Sequence, residues 1–365
     1  MKVTFPHMGN ACITINALLK GLNLEVITPP PISKKTFELG VKYSPEFACL
    51  PLKLNVGNFI EALEKGADTI VMAGGWGPCR FGYYAQVERD ILKDLGYEFE
   101  IVILEAPDHQ VSELVQQLKS LGNNISLWKA INTIHFAWMK LQAVETLEKE
   151  LEFCLPRVID KSLLQKIYQT ALQDTDAACS RKKIQQILHQ AVLEMREIPQ
   201  SRQQIIKIGL VGEIYTILEP SSNYHLIDYM GYLGVEVTRA IYLSDWINDH
   251  LLGGWIKKSH NRHIIRSSQP YINYFVGGHG QQTIGYTVDF ARRHYHGVIQ
   301  IAPLTCMPEI VAHSILPRVS EAENIPVMTM YFDEHAGEAG IQTRLEAFVD
   351  MLRRKNRRQD NSKEA

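Results

Sequence analysis

The sequence predicts an α/β protein with two parallel-sheet domains joined by a helical region. Three observations carry this expectation. In the first and last thirds, short apolar runs alternate with helix-length periodic segments, the pattern of parallel strands covered by helices. In the middle third, apolar residues fall at helical spacing and strand signals are scarce. The outer thirds also read as diverged copies. Lys65-Gly66-Ala67-Asp68 leads into an apolar run and then Cys79, and Tyr295-His296-Gly297 leads into another and then Cys306. The expected division is 1–122 for the first α/β domain, 123–204 for the helical bridge, 205–354 for the second α/β domain and 355–365 for a disordered tail.

The elements follow in order. Lys2–Phe5 and Leu24–Thr28 read as strands, with a helix from Cys12 to Leu19 between them. Phe59–Lys65 is helical, and Gly66 is its C-cap candidate. Thr69–Ala73 is a continuous apolar run, the mark of a strand buried on both faces. Helix Gln86–Leu95 and strand Phe99–Leu104 complete the first domain. From Ser126 to Phe153 the residues Leu127, Ile131, Ile134, Trp138, Leu141, Val144, Leu147 and Leu151 repeat at helical spacing. Amphipathic helices at Leu163–Leu172 and Ile184–Met195 follow.

In the last third, strands are expected at Ile205–Leu210, Val235–Arg239, Val298–Ile301 and Val327–Tyr331. Helices are expected at Leu226–Leu233, Ile284–Arg293, Pro308–Val319 and Gln342–Arg354. From Lys355 the chain is charged and without apolar periodicity, which predicts disorder.

Composition sets limits on function. A chain of 365 residues accommodates roughly two domains at about 150 residues each. Apolar residues are 45% and charged residues 21%, the balance of a globular chain. Lys and Arg number 38 against 40 Asp and Glu, whereas a dedicated nucleic-acid binder carries a large basic excess. No run approaches the roughly 18 apolar residues of a membrane span. Met1–His7 has no long apolar segment of the kind a signal peptide needs. No membrane or nucleic-acid partner and a cytoplasmic location are therefore expected. In a reducing compartment the six cysteines are buried thiols, metal ligands or catalytic groups.

Three of those cysteines stand in unusual surroundings. Cys49 lies between Pro45 and Pro51, and Cys306 between Pro303 and Pro308. Cys79 lies among Gly74, Gly75, Gly77, Pro78 and Gly82, an irregular backbone that approaches something closely. Buried structural cysteines usually sit inside regular elements. Three thiolates from separated loops suit a soft metal site, but zinc usually announces itself by C-x-x-C pairs, and none occurs here. An iron–sulfur cluster normally takes four thiolates, so three would leave one iron with an exchangeable position. From the residues alone, a metal cluster, inert core thiols and a nucleophilic cysteine all stand open.

Pro45–Lys53, Gly74–Tyr84 and Pro303–Ala312 resemble the signature blocks of the 2-hydroxyacyl-CoA dehydratase superfamily. The resemblance is to its branch of CoA-substrate-specific enzyme activase-related proteins. His7-Met8-Gly9-Asn10, Gly277-Gly278-His279-Gly280 and Phe332–Gly340, with Thr343-Arg344 and Glu346-Ala347-Phe348, also resemble that branch. The likeness covers both outer thirds, and the helical middle is only loosely similar.

The resemblance implies Rossmann-like or flavodoxin-like domains around a 4Fe–4S cluster held by three cysteines, here Cys49, Cys79 and Cys306. Some relatives hold a larger double-cubane cluster. It implies a homo- or heterodimer, an acyl-CoA substrate and a separate ATP-dependent, actin-like activase that supplies one electron. This chain has no Walker A pattern, so the resemblance points to the cluster-bearing component. Dehydrating a 2-hydroxyacyl thioester requires loss of an unacidic β-proton. A one-electron reduction of the thioester carbonyl makes that possible, and a low-potential cluster with an open iron suits it. Two alternatives remain: an electron-transfer partner subunit of an activase system, and a zinc or metal-free binding protein on the same fold.

Other residues carry paired readings. Cys12 is a fourth ligand or a small residue packing at a helix start, while Cys154 and Cys179 read as ordinary thiols. Asp333 and Glu334, at the end of a strand, are acid/base candidates, or Glu334 caps the following turn. His279 is a catalytic candidate in a glycine-rich loop that would admit a phosphate at a helix N-terminus, or else a structural loop histidine. Arg80 would hold an anionic cluster or a CoA phosphate, or pair with an acidic neighbour. Gly77 and Gly278 are the backbone positions expected to lie against a cofactor. The basic run Lys257, Lys258, His260, Arg262, His263 and Arg266 is a phosphate-binding or a solvated face. Arg353, Arg354, Lys355, Arg357 and Arg358 suit a helix C-terminus.

Overall fold

Among the described residues, eight strands pair in parallel into two four-stranded sheets. The computed structural model describes residues 1–75, 77–104, 116–119, 121–122, 125–251 and 261–364. The chain divides into two compact units. Unit 1 takes Met1–Glu145, Leu172–Leu188 and a segment beginning at Tyr242. Unit 2 takes Thr146–Ala171, His189–Ile241 and the described chain from Asn261.

Unit 1 opens with β1 (Lys2–Thr4), α1 (Ala11–Gly21) and β2 (Glu25–Val26). The pair α2 (Lys34–Tyr43) and α3 (Leu50–Glu64) leads into β3 (Thr69–Ala73). A single 3-10 turn, Arg80–Tyr83, runs into α4 (Tyr84–Asp94) and then β4 (Glu100–Leu104). The sheet order is β2-β1-β3-β4. β3 lies between two neighbours and buries four of its five residues, as its unbroken apolar sequence requires.

The middle of the chain forms α5 (Leu127–Cys154), α6 (Lys161–Ala177) and α7 (Arg181–Glu197), as the helical periodicity predicts.

Unit 2 contains β5 (Ile206–Gly212), α8 (Ile214–Leu218), α9 (Leu226–Tyr232) and β6 (Val235–Arg239). After α10 (Leu243–Trp246), which belongs to unit 1, come α11 (Asn261–Ser268), α12 (Gly280–Arg292) and β7 (Gly297–Pro303). The chain closes with α13 (Met307–Ala322), β8 (Val327–Phe332) and α14 (Glu338–Glu364). The order β6-β5-β7-β8 repeats the plan of unit 1 strand for strand. The registers repeat as well. Val3 faces Val26 and Thr69, and Ile208 faces Val237 and Gly297. The expected α/β class with two Rossmann- or flavodoxin-like parallel sheets is therefore what the chain adopts.

The helix before each central strand packs closely on its predecessor. α3 is buried on every side from Leu50 to Leu63. Fully buried Leu54, Val56 and Phe59 each contribute roughly 1.5–3 kcal/mol. Three of its polar residues are matched: Lys53 Nζ donates to Glu46 O at 2.9 Å, Asn58 Nδ2 donates to Pro30 O at 2.8 Å, and Glu61 accepts from Thr36 Oγ1 at 2.5 Å. α2 crosses α3 where both backbones lack a side chain. A Cβ on Gly57 would lie 2.9 Å from the Thr36 carbonyl carbon, and one on Gly40 would lie 2.7 Å from that of Lys53. In unit 2 Gly285 of α12 approaches α11 the same way, its Cβ position 2.8 Å from the Ile264 carbonyl carbon.

Three differences from the sequence expectation matter. α2 was not anticipated, and α3 begins at Leu50 rather than Phe59. α14 continues through residues 355–364 in place of a disordered tail. Lys355 Nζ donates to both oxygens of Asn324, at 3.2 and 3.1 Å, which holds that stretch to the end of α13. Among the described residues, no helix is long and apolar enough to cross a membrane.

Candidate functional site

Each of the three singled-out cysteines caps the N-terminus of a helix. Cys49 caps α3, Cys79 caps the 3-10 turn ahead of α4, and Cys306 caps α13. They are thus the last loop residues before regular structure. None uses its side chain as a capping acceptor. The first N–H groups of a helix carry partial positive charge, which favours a thiolate at that position. Pro51 and Pro308 fall in the first turns of their helices, where a missing N–H costs nothing. A helix that leads into a parallel strand starts at the C-terminal edge of the sheet. Cys49 therefore shares that edge with Cys79, which follows β3. Cys306 follows β7 at the corresponding edge of the second sheet, where ligands of open α/β sheets bind.

In unit 1 the two cysteine loops are tied together. Arg80 Nη1 donates to Phe47 O at 2.8 Å, and the Cys49 Sγ lies against the Tyr84 hydroxyl. Arg80 is thus in part a staple between loops. Cys49 is 9% exposed, while Phe47 and Tyr83 beside it are 76% and 66% exposed. Gly77 has φ +88°, a conformation that side chains with a Cβ resist. One turn after Tyr84 comes Glu88, fully buried, with its pKa pushed up to about 8 by that burial. Asn55 of α3 donates Nδ2–H to Glu88 Oε1 at 3.2 Å.

In unit 2, His279 caps α12 and Gly280 packs against Pro308, so the starts of α12 and α13 adjoin. His279 and Cys306 are both nearly buried. Gly278 has φ +45°. Glu309, three residues into the capped segment, is fully buried. It accepts from Thr283 Oγ1 at 3.1 and 3.0 Å and from Gln300 Nε2 at 2.8 Å. Burial, with the nearby charge of Glu213 adding to it, pushes its pKa up to about 7. Glu213 caps α8 by accepting from the backbone of Tyr215 and Thr216, and burial raises its pKa too. The Tyr331 hydroxyl is raised by burial and then by the charges of Glu309 and Cys306.

Asp333 and Glu334 follow β8, whose last residue accepts from Leu304 N at 3.0 Å. Asp333 Oδ1 accepts from His335 N at 3.0 Å, which shapes the turn. Cys12 lies in the first turn of α1, packed against the cluster of Val3, Phe5, Leu19 and Val71. The Cys154 thiol is completely buried and pushed up to about 11 by that burial, and Cys179 is exposed. His263 of α11 lies 3.4 Å from Asp289. Trp76, Lys257, Lys258 and His260 lie outside the described residues.

The structure therefore joins the loops of Cys49 and Cys79 in unit 1, and those of His279 and Cys306 in unit 2. Among the described residues, no group of three or more His, Cys, Asp or Glu side chains is gathered to hold a metal ion. The chemistry of the donors still suits soft-metal ligation, being thiols at positively polarised helix ends, two of them sheltered from water. Sequence reasoning passed over Tyr84, Glu88, Asn55, Glu213 and Glu309. Glu88 was legible: Tyr84, Glu88 and Leu92 recur at intervals of four, so the acid falls on the buried stripe of its helix. No family model matches the chain, and no curated protein matches it.

Proposed function

We propose that the chain is an iron–sulfur protein related to 2-hydroxyacyl-CoA dehydratase subunits, with Cys49, Cys79 and Cys306 as ligands of a 4Fe–4S cluster. One observation supports this reading: all three cysteines cap helix N-termini at the C-terminal edge of a parallel sheet. The cluster would supply a low-potential electron to a CoA thioester or a similar substrate. The chain's own residues would stabilise thiolates through helix ends and bring backbone close at Gly77 and Gly278. Asp333, Glu334 and His279 would serve as acid/base groups. An ATP-dependent activase would be the electron donor, and the setting would be cytoplasmic.

The test is anaerobic purification followed by iron and acid-labile sulfide analysis. The reading predicts about four of each per chain. It also predicts their loss in Cys49→Ser, Cys79→Ser and Cys306→Ser but not in Cys154→Ser or Cys179→Ser. Zinc without sulfide, or equal iron content in all these variants, overturns it. Cys12→Ser separates the two forms of the site: loss of iron makes Cys12 a fourth ligand, and retention leaves one iron open.

A further inference from the structure

Glu88 of α4 faces α3 and is 0% exposed. Asn55 satisfies one of its oxygens. Two acceptors of the pair are left over. Glu88 Oε2 and Asn55 Oδ1 are both buried, and neither has a hydrogen-bond partner. Buried polar atoms are almost always paired, and an unpaired buried carboxylate is more costly still. Two bare acceptors within one contacting pair need only one proton to satisfy both.

We propose that Glu88 is a neutral carboxylic acid whose Oε2–H donates to Asn55 Oδ1, closing a two-bond acid–amide ring that locks α4 onto α3 and seats Tyr84, one turn earlier, against Cys49. The match is complete in both directions. The amide donates to the acid carbonyl, and the acid hydroxyl donates to the amide carbonyl. Deprotonation opens the ring, so the lock is a pH-sensitive device built into the wall of the Cys49 site. It holds with or without a bound cluster.

The charges around Glu88 do not supply an alternative partner. Burial is what raises its pKa, and the Asn55 bond alone opposes it. On α3, Lys53 donates to Glu46 O, Glu61 binds Thr36 and Glu64 binds Lys35. In the 3-10 turn, Arg80 donates to Phe47 O, and Tyr83 is exposed. On α4 itself, Arg89 donates to Gln86, which in turn binds Asp90. Lys93 and Asp94 on α4, Tyr97 and Glu98 between α4 and β4, Glu100 on β4, and Tyr84, Cys49 and Cys79 at the helix starts are the other titratable groups of these segments among the described residues. None enters the causes of the shift.

The folded pKa is about 8 against an ordinary 4.5. Between these values the folded chain keeps a proton that the unfolded chain has lost. Stability is therefore highest below the lower value, falls as pH rises, and levels off above about 8. Across that window the folding equilibrium constant falls by up to roughly three thousand-fold.

Glu88→Gln is the decisive variant, because an amide–amide pair keeps the shape and both bonds but has no proton to lose. Thermal unfolding of both proteins is followed from about pH 5 to about pH 9, with infrared spectra of the protonated-carboxyl C=O band at each step. The wild type should lose melting temperature relative to Glu88→Gln across the window. The protonated-carboxyl absorption at neutral pH, to which buried Glu309 and Glu213 also contribute, should be weaker in the variant, and the part lost should titrate near pH 8 in the wild type. Amide protection in the first turns of α3 and α4, after allowance for the base-catalysed rise of intrinsic exchange, should fall at alkaline pH in the wild type only. Parallel melting profiles, or identical carboxyl bands at neutral pH, overturn the proposal. If Glu88→Gln does not fold, the assigned carbon-13 resonance of the Glu88 carboxyl in the wild type decides, and a Glu88 already ionised at neutral pH refutes it.

Discussion

Replacing Gly57 by alanine tests how the α2–α3 pair is built. In an isolated helix, Gly→Ala stabilises by roughly 0.5–1 kcal/mol. At Gly57 the new Cβ would overlap the Thr36 carbonyl oxygen and lie 2.9 Å from its carbon and 3.0 Å from Gly40 N. Carbon atoms pack at about 3.5–4.0 Å and the oxygen is nearer still, so the helices must separate by more than about 1 Å. The obstacle is backbone, which has no rotamer to change. Overpacking of this kind costs typically 1–3 kcal/mol. The propensity gain recovers less than that, and the net loss should be about 1–2 kcal/mol. At about 2–4 °C per kcal/mol for a domain of this size, the unit 1 transition should drop by roughly 2–8 °C. Gly340 in α14 is the control. A Cβ there meets nothing within 4 Å, so Gly340→Ala should melt at or slightly above the wild type. Calorimetric scans of the three proteins settle the matter. A Gly57→Ala protein that melts no lower than wild type refutes the steric argument.

The remaining predictions concern charge and thiol chemistry. Arg239 on β6 is 6% exposed and lies 2.6 Å from both Glu148 and Glu152 of α5. Arg239→Met removes the cation beside two carboxylates one helical turn apart and should cost about 3–5 kcal/mol; an unchanged urea midpoint would contradict this. Alkylation of the native protein should label exposed Cys179 and spare Cys154, whose thiol is buried and held at about 11. Labelling of Cys154 at a comparable rate, read by peptide mass spectrometry, would show the burial to be wrong.

Where sequence and structure agree, a single physical signal dominated. Thr69–Ala73 is one example: its apolar run is unbroken because the strand is covered on both faces. α5 was legible because its apolar residues repeat at helical spacing. α3 was half-missed for the opposite reason. It is buried all round, so it shows no amphipathic stripe, and Lys53, Asn55 and Asn58 read as interruptions although each finds a partner inside. α2 follows three consecutive prolines, Pro29 to Pro31, and is strongly polar. Its start signal, Ser33 capping with Thr36, uses threonine where glutamate or glutamine is the familiar partner. At the site, the cysteines were legible through their proline and glycine neighbours. Of the buried acids, Glu88 was legible only as a position on a buried stripe; its partner was not, since a glutamate in sequence does not reveal that it will meet an asparagine thirty-three positions away.

The repeated strand plan supplies an internal control for experiments on either unit. Gly57 and Gly285 each lie twelve residues ahead of the first residue of the central strand, β3 in one unit and β7 in the other. Each faces a carbonyl of the preceding helix. The same substitution at the two positions is thus one perturbation performed twice in a single polypeptide, under identical solvent, temperature and concentration. Any difference in response belongs to what the units do not share, above all a cysteine capping α3 where histidine caps α12.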